Sequence, residues 1–354
     1  MRRENILALR ATTVLLVIFL TSSLPGCHSG GGGSVVGVGG TFPTNPTLLT
    51  FPTGTNPESI AIDSSGNAWV TNFNSNTVSV LSLETGTVLN TYPTGMNPAG
   101  IAIDSSGHVW ITNYGSNNVS VLSSTTPTGT VLNTYPAGMN PAGIAIDSSG
   151  NVWITNYGSN IVSMLSSTTG TVLNTYPTGT GPWGIQVDSF DNVWVANYGG
   201  GSNPLGNTVT ELSSSAVATT ITVGSGPRSV RVDPSGNLWV SNSGDSTVTE
   251  LSSSGETLGT FPVGSSPFGE AINTYGDVWV AIYGTNDFPG DTVLVLDSSG
   301  EPVDTFSAGF YPSGIEIDSA GNVWIANYGS NSVTVLEGAS TTPGFHPYKG
   351  PIWP

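Results

Sequence analysis

The sequence repeats itself every 40 to 45 residues, and this repeat restricts the possible folds more than any other feature. Seven tryptophans followed by Val or Ile mark the copies, with spacings of 41, 43, 41, 45, 40 and 45 residues: Trp69, Trp110, Trp153, Trp194, Trp239, Trp279 and Trp324. A repeat of this length is one supersecondary unit that buries its apolar face only against neighbouring copies. The chain is therefore expected to form one array of seven units rather than several unrelated domains.

The second copy shows the content of the unit most clearly. Residues 97–122 read NPAGIAIDSSGHVWITNYGSNNVSVL, and residues 130–136 read TVLNTYP. Four short runs rich in Val, Ile, Thr and aromatic residues alternate with Gly, Asn, Asp, Ser and Pro, which indicates four short strands. No window outside the first 30 residues has the 3.6-residue period of a helix. The sequence therefore predicts an all-β fold, a seven-bladed β-propeller of four-stranded antiparallel blades.

The two ends of the array predict how the ring closes. Residues 48–54 read LLTFPTG and match the fourth-strand sequence LNTYPTG at 89–95, whereas the last copy lacks a fourth strand. We therefore expect the N-terminal strand to complete the seventh blade, which leaves no long unpaired edge. A β-solenoid is the alternative array, but it needs no such strand exchange. The propeller is assigned to residues 46–336.

The repeat pattern N-P-x-G-I-A-x-D-x-x-G-N-x-W-[VI]-x-N resembles that of NHL and virginiamycin B lyase-like propellers, over about residues 46–336. Residues 113–122 are also similar to the YVTN-type surface propeller repeat. The virginiamycin B lyase-like resemblance implies a histidine base, carboxylates and Mg²⁺, and the similar lactonase propellers imply Ca²⁺ held by carboxylates and amides. Because propellers host many unrelated functions, the resemblance implies an architecture more firmly than an activity.

The N-terminal segment differs from the repeats. Three arginines precede an apolar run at 11–20, and residues 24–27 read LPGC, which resembles a bacterial lipobox. This pattern predicts a lipoprotein signal peptide over residues 1–26 and lipidation of Cys27, the only cysteine in the chain. We therefore expect a lipid-anchored protein of the bacterial cell envelope, on the outer membrane or cell surface.

Composition and the flanking segments complete this expectation. Residues 27–45 are rich in Gly and Ser and predict a flexible tether, and residues 337–354 form a Pro/Gly-rich tail. The chain has 6 Lys and Arg against 23 Asp and Glu, a formal net charge of −17. Binding to nucleic acid requires Lys and Arg to displace counterions from phosphates, so we expect no nucleic-acid partner.

Two recurring features of the copies are interpreted as scaffold. The repeated tryptophans have apolar neighbours two residues away, which predicts packing in the core. Turns such as Asp104 to His108 lack the dense acidic spacing of a calcium loop. We expect their aspartates to accept hydrogen bonds from the backbone of their own turn.

Bulky and charged residues replace small ones in the innermost strands, beginning in blade four. The residue after the first proline of that strand is Trp183, Arg228 and Phe268 in blades four, five and six. Three residues further on, the usual Ala becomes Gln186 in blade four and Arg231 in blade five. The connections between the second and third strands are also longer in two blades, at residues 199–206 and 285–291.

These departures predict a ligand pocket at the mouth of the central channel, over blades four to six. Arg228 and Arg231, with Gln186 nearby, would bind a carboxylate, sulfate or other acidic group. Trp183 and Phe268 would supply an apolar or stacking wall. An aromatic residue also follows the second strand in six blades and is a further possible contact: Phe73, Tyr114, Tyr157, Tyr198, Tyr283 and Tyr328.

The favoured function is a binding module for a glycan, a small acidic molecule or a protein. Internal ion pairs of Arg231 with Glu270 or Glu316 are the alternative explanation of the charges. If Glu58, Glu270 and Glu316 converge, they could instead bind Ca²⁺ or Mg²⁺ in a metal-dependent lyase or lactonase. None of the three histidines falls in the pocket, so a positioned histidine base is not expected. A structural envelope protein is the third alternative.

Overall fold

The computed structural model describes residues 46–125, 131–200, 205–213 and 218–340. The signal peptide, Cys27 and the tether predicted from the sequence lie outside these residues, as does the tail beyond residue 340. Within the described ranges the regular structure consists of 28 β-strands. No helix in this part of the chain is long and apolar enough to cross a membrane.

Each blade contributes one strand to each of four concentric layers. The innermost strands are β2 (Pro57–Ile62), β6 (Pro98–Ile103), β10 (Pro141–Ile146), β14 (Pro182–Val187), β18 (Pro227–Val232), β22 (Pro267–Ile272) and β26 (Pro312–Ile317). The second strands are β3 (Ala68–Asn72), β7 (His108–Asn113), β11 (Val152–Asn156), β15 (Val193–Gly199), β19 (Leu238–Asn242), β23 (Val278–Gly284) and β27 (Val323–Asn327).

The two outer layers complete the blades. The third strands are β4 (Thr77–Ser82), β8 (Asn118–Ser123), β12 (Ile161–Leu165), β16 (Leu205–Leu212), β20 (Thr247–Leu251), β24 (Pro289–Leu296) and β28 (Ser332–Glu337). The outermost strands are β5 (Thr87–Pro93), β9 (Asn133–Pro136), β13 (Val172–Pro177), β17 (Ala218–Thr222), β21 (Thr257–Pro262), β25 (Pro302–Ser307) and β1 (Thr47–Pro52).

The strands form seven antiparallel sheets of four strands, which confirms the predicted seven-bladed propeller. The seventh sheet has the order β1-β28-β27-β26, so the N-terminal strand closes the ring as predicted. Six residue pairs join β1 to β28, from Thr47 opposite Glu337 to Pro52 opposite Ser332. The closure therefore depends on one strand at the outer edge of the last blade.

The hydrophobic core lies between adjacent blades, and the repeated tryptophans occupy it. Trp69 of blade one is buried among Ile101 and Val109 of blade two and stacks on Tyr92 of its own blade at a centroid distance of 5.8 Å. Its indole Nε1 donates to the Asp63 carboxylate, whose other oxygen accepts backbone N–H groups of its own turn. Both predictions, core tryptophan and turn-capping aspartate, are confirmed.

Blade six departs from this arrangement. Asn273 replaces the turn aspartate, and Asp277 replaces the asparagine four residues later. Asn273 Nδ2 donates to Asp277 Oδ2 at 2.8 Å, so an amide nitrogen takes the place of the oxygen that accepts the indole N–H elsewhere. Trp279 Nε1 is consequently buried without a hydrogen-bond partner in the described structure.

Candidate functional site

The seven innermost strands surround a cavity of about 520 Å³ on the propeller axis. All five predicted binding residues line this cavity: Trp183, Gln186, Arg228, Arg231 and Phe268. The small residues at the equivalent positions of blades two and three, such as Ala99 and Ala142, line it as well. The bulky and charged side chains therefore project into space that small residues leave open elsewhere in the ring.

A β-bulge explains how residues three apart can both line the cavity. In a regular strand, such residues point to opposite faces. The register between β18 and β19 shifts after Pro227, where β18 contains one extra residue, and every other innermost strand has a similar irregularity near its start. The extra residue restores Arg228 and Arg231 to the same side.

The guanidinium of Arg228 lies among three aromatic rings. Its Cζ atom is 4.2 Å from the centroid of Trp183, 4.6 Å from that of Tyr198 and 4.1 Å from that of Phe268. These distances are within the range of cation–π interactions. Tyr198 and Trp183 come from blade four and Phe268 from blade six, so neighbouring blades hold the side chain from both sides.

Arg228 has no acidic partner among the residues that the structure describes. Within the described ranges it forms no ion pair, and its Nε atom is buried without a hydrogen-bond acceptor. Arg228 is half-buried, and the ring faces replace only part of the hydration that its guanidinium has in water. The three rings therefore hold Arg228 at the cavity, and no described carboxylate pairs with it.

Aromatic rings continue from Arg228 in both directions around the mouth of the channel. On one side, Trp183 packs edge-on against Tyr157 at 5.6 Å, and Tyr157 lies 6.0 Å from Tyr114. On the other side, Phe268 stacks on Tyr283 at 5.2 Å. We call the whole set the aromatic collar: Phe73, Tyr114, Tyr157, Trp183, Tyr198, Phe268, Tyr283, Tyr311 and Tyr328.

Tyr311 belongs to the aromatic collar through an unusual backbone conformation. Its φ of 53° lies in the left-handed region, which is rare for a bulky side chain. The equivalent residues of blades one to three are asparagines, which adopt this conformation more readily. The strain places the Tyr311 ring 4.9 Å from that of Tyr283, on the mouth of the channel.

Acidic side chains line the cavity on the blades opposite Arg228. Glu58 of blade one is 8% exposed, and burial raises the pKa of its carboxyl to about 7 despite the opposing effect of the Arg228 charge. Glu316 of blade seven also lines the cavity, and burial raises its pKa while the charge of Arg231 lowers it. The cavity thus has a cationic wall on blade five and an acidic wall on blades seven and one.

Glu270 does not join these two glutamates. It occupies the position that is Ile or Val in the other six blades, and its side chain is fully buried between blades five and six. Ser241 Oγ donates to Glu270 Oε1 at 2.5 Å, and Oε2 has no partner in the described part of the chain. Burial raises the pKa of Glu270 to about 8.

The three glutamates therefore do not match a divalent-metal site. The described residues contain no cluster of three or more His, Cys, Asp or Glu side chains that could hold a metal ion. Mg²⁺ and Ca²⁺ require several oxygen ligands around one point, whereas Glu270 is turned away from the cavity. The three carboxyl groups expected to form a metal centre do not converge on one point.

The internal ion pairs considered for Arg231 are not formed either. In the ranges described, the one ion pair within 4.0 Å joins His108 to Asp104. Arg231 Nη1 instead donates to the carbonyl of Val230 at 3.4 Å. The charge of Arg231 lowers the pKa of both Glu270 and Glu316 without direct contact.

The longer connections of blades four and six extend two hairpins on the face of the aromatic collar. The strands β15 and β23 each run two residues past the position where most second strands end. In blade six, Phe288 at the hairpin tip is 79% exposed. Residues 201–204 of the blade-four connection lie outside the described ranges.

The sequence did not identify Tyr198 as a contact of Arg228 or Tyr311 as a member of the aromatic collar. Tyr198 was noted only as one member of a repeated aromatic position, and Tyr311 was not noted. Aligning the seven copies would have marked Tyr311 as the only bulky residue at a position otherwise occupied by Asn, Gly or Ser. The contact of Tyr198 with Arg228 depends on the geometry between two blades and leaves no signal in the sequence.

Fold and cavity define the chain as a seven-bladed β-propeller with a charged, aromatic-rimmed channel. Residues 96–122 match the family model described as the NHL repeat. A search among curated proteins found no match.

Two solved structures of similar fold are described as streptogramin B lyase and virginiamycin B lyase. A structure described as streptogramin B lyase has a TM-score of 0.71 and 18% identity, and the match covers 82% of this chain and 97% of that one. Selenomethionine-substituted virginiamycin B lyase from Staphylococcus aureus has a TM-score of 0.71 and 20% identity, over 82% of this chain and 99% of that one. The expected likeness to NHL and virginiamycin B lyase-like propellers is thus confirmed for repeat and fold.

A further structure of similar fold belongs to a different enzyme. Hydrazine synthase of Kuenenia stuttgartiensis has a TM-score of 0.71 and 17% identity, and the match covers 86% of this chain and 99% of that one. At such identities the likeness concerns the propeller architecture, which supports many activities. The function has to be argued from the residues of this cavity.

Proposed function

We propose that this protein is a binding module that takes an acidic group of its ligand at Arg228, in the mouth of the propeller channel. The ligand is a small acidic molecule, or an acidic group of a glycan or protein. The observation that carries the proposal is an arginine clamped by three aromatic rings, with no acidic partner, beside an open cavity. The signal-peptide pattern and Cys27 support a location at the bacterial envelope through a lipid anchor.

The rings around Arg228 prepare its guanidinium for binding. They hold the group in one position, so little side-chain entropy is lost when an anion binds. Hydrogen bonds between a guanidinium and a carboxylate or sulfate are charge-assisted and frequently bidentate. The same rings offer an apolar surface to the body of the ligand, as is usual in pockets for small molecules.

The test is calorimetric titration of the full chain, in detergent, with a panel of related probes. We expect 3-phenylpropionate and phenyl sulfate to bind and the uncharged 3-phenylpropionamide not to bind. Arg228→Met should weaken binding about 10- to 100-fold, because a hydrogen bond to a charged group contributes roughly 1.5–3 kcal/mol. Arg228→Lys should be intermediate, since an ammonium keeps the charge but loses the planar pair of donors.

A matched control separates the pocket from the fold. Phe268→Ala removes one ring of the cage, whereas Phe190→Ala removes a 75% exposed ring on the opposite face of blade four. We expect only the first to weaken binding. Equal binding by the Arg228→Met variant and the parent chain would contradict the proposed function.

The anchor has its own test. Cys27→Ala should move the protein from the membrane fraction to the soluble fraction of a bacterial cell and prevent labelling with a radioactive fatty acid. Unchanged fractionation would contradict a lipid anchor at Cys27. Neither result affects the proposal for the cavity.

A metal-dependent lyase or lactonase finds less support in the geometry. Glu270 does not line the cavity with Glu58 and Glu316, and His108, the histidine inside the described ranges, begins β7 just after the turn at the far end of the innermost strand. Calorimetric titration with Ca²⁺ and Mg²⁺, repeated on Glu316→Gln, tests this alternative. Tight binding that the variant loses would favour the enzyme, and a protein that bound no ligand at all would favour a structural role.

A further inference from the structure

Four charged side chains line the channel in two levels. Near the mouth, Arg228 of blade five and Glu58 of blade one lie next to the first prolines of their strands. Three residues deeper, Arg231 of blade five and Glu316 of blade seven line the same cavity. Each level therefore has one cation and one carboxyl, and both cations come from a single blade.

The opposite charges share the cavity without touching. In the part of the chain that the structure describes, neither arginine has a carboxylate within 4.0 Å. The influence of Arg228 on the pKa of Glu58, and of Arg231 on that of Glu316, shows that each pair is close enough to interact. The channel is thus polarised across its width, and the space between the two walls is open.

Burying these charged side chains around the cavity is energetically unfavourable unless a bound molecule compensates them. Burying a carboxylate disfavours its charged form, and burial raises the pKa values of Glu58 and Glu316 even though a backbone hydrogen bond from Ile317 lowers that of Glu316. A direct ion pair would offset part of this cost, but the walls are held apart by the ring of seven strands. A bound molecule that carries both kinds of charge would satisfy both walls at once.

We propose that the channel binds a zwitterion, with its acid group at Arg228 and a cationic amine on the side of Glu58. The proposal rests on the proposed function, because it assigns the same Arg228 to the acid group. It adds a second recognition element and names the class of ligand: an amino acid, a short peptide or another molecule with both an acid and an amine. The aromatic collar would contact an apolar or aromatic body between or beside these groups.

A zwitterion and a simple anion should have opposite effects on the protonation of Glu58. Tyr283 and Tyr328 are the other titratable groups whose pKa values its charge raises, and Arg228 is the cation that acts on it. With a pKa of about 7, Glu58 is partly protonated at neutral pH. An ammonium group beside Glu58 favours the carboxylate and releases a proton, whereas a simple anion at Arg228 favours the acid and takes up a proton.

The experiment compares probes that differ only in one amine. L-phenylalanine is paired with 3-phenylpropionate, and glycyl-phenylalanine with N-acetylphenylalanine. The full chain is titrated at pH 7 in two buffers of different ionisation enthalpy, which gives affinity and the sign of proton exchange. We expect the zwitterion of at least one pair to bind about 10-fold or more tightly than its partner and to release a proton, because a charge-assisted contact is worth roughly 1.5–3 kcal/mol.

Variants show whether Glu58 causes the difference. Glu58→Gln keeps the shape of the side chain, and Glu58→Ala matches Ala99 at the same position of blade two, so both fit the strand. Either change should abolish the preference for the zwitterion and leave binding of the simple acid in place. Glu211→Gln, which removes a carboxylate from the third strand of blade four outside the cavity, should preserve the preference.

The outcomes separate this inference from the proposed function. Acids that bind through Arg228 with proton uptake, and zwitterions that bind no better in either pair, would overturn the zwitterion inference and leave the acid site standing. A preference that survives Glu58→Gln would also overturn the inference. Absence of binding by all four probes up to about 10 mM, an interaction weaker than roughly 3 kcal/mol, would overturn both.

Discussion

Glu270 shows at the scale of one residue how a blade departs from its repeat. Six blades place an aliphatic side chain at this position, and blade six places a carboxyl there, held by Ser241 of the preceding blade. Burial raises its pKa to about 8, so the folded protein keeps the carboxyl protonated at neutral pH. An unfolded chain would release that proton near pH 4.5.

This difference predicts how stability depends on pH. Because the folded state binds more protons than the unfolded state between about pH 4.5 and 8, the free energy of unfolding should fall as pH rises through this window. Glu270→Ile should remove this contribution and stabilise the protein by a few kcal/mol at pH 8, with little gain at pH 4.5. Urea unfolding at pH 4.5, 6 and 8 measures the effect. The parent and the variant losing stability in parallel would contradict it.

The pair Asn273 and Asp277 offers a second test at the residue scale. Exchanging them, as Asn273→Asp with Asp277→Asn, restores the order found in most other blades and gives Trp279 Nε1 an acceptor. The double change should stabilise the protein by about 1 kcal/mol, the usual net contribution of a hydrogen bond. Asn273→Asp alone should do less, since it places two carboxylates side by side. Thermal unfolding of all four members of the cycle gives the coupling, and an additive result would rule out the explanation.

At the scale of elements, the innermost strands approach one another so closely that most carry a glycine after their second residue. A Cβ atom on Gly184 would lie 2.6 Å from the Arg228 carbonyl oxygen, and one on Gly100 would lie 2.4 Å from that of Ala142. In both cases the added Cβ would meet a backbone oxygen of the neighbouring strand, which cannot rotate away. The two strands would therefore have to move apart to accept a methyl group. The distance between blades four and five thereby sets the geometry of the arginine cage.

Gly184→Ala should therefore weaken both stability and ligand binding. We expect a loss of about 1–3 kcal/mol in the free energy of unfolding from overpacking. Gly100→Ala, between blades two and three, serves as the control with a similar cost in stability and no effect on acid binding. Calorimetry and urea unfolding on both variants measure the two quantities. Equal binding by both variants would show that the cage tolerates a shift of its blade.

The innermost strands also show what the sequence could and could not predict. Residue types that recur in seven copies predicted the four strands, the core tryptophans and the strand that closes the ring. The orientation of Arg231 and Glu270 was not predictable, because the bulge after the first proline changes which residues face the channel. A bulge is set by backbone hydrogen bonds between two strands, which side-chain patterns record only weakly. For this reason the five residues predicted to bind a ligand share the cavity with Glu58 and Glu316, whereas Glu270 lies outside it.

For the molecule as a whole, the stability of the closed ring depends on the packing of the strand β1 that closes it. Phe51 of β1 is buried and stacks on Trp324 at 6.3 Å, as Tyr92 of β5 stacks on Trp69 at 5.8 Å. Strand β5 is connected in sequence to β4 and β6, which both belong to the ring. Strand β1 is connected to the ring only through β2. Weak packing of β1 would expose the edge of β28 and the interior of blade seven.

Phe51→Ala should accordingly be more damaging than Tyr92→Ala. Both remove a buried ring, with an expected cost of about 3–5 kcal/mol. Only Phe51→Ala should also make β1 accessible to limited proteolysis and raise the tendency to aggregate, because its strand can leave the sheet without breaking the ring elsewhere. Proteolysis followed by mass spectrometry locates the cut. Cleavage of β5 in the second variant, at the same rate as β1 in the first, would refute this account of closure.

Trp279 of blade six, whose indole N–H has no acceptor in the described structure, gives the protein a spectroscopic label without chemical modification. The other six repeat tryptophans donate their indole N–H to a turn aspartate, at 2.9 to 3.1 Å. In a ¹H–¹⁵N correlation spectrum, those six indole resonances should group at high proton frequency, and that of Trp279 should stand apart. Trp279 shares its blade with Phe268, so its resonance could follow events at the cage during a titration.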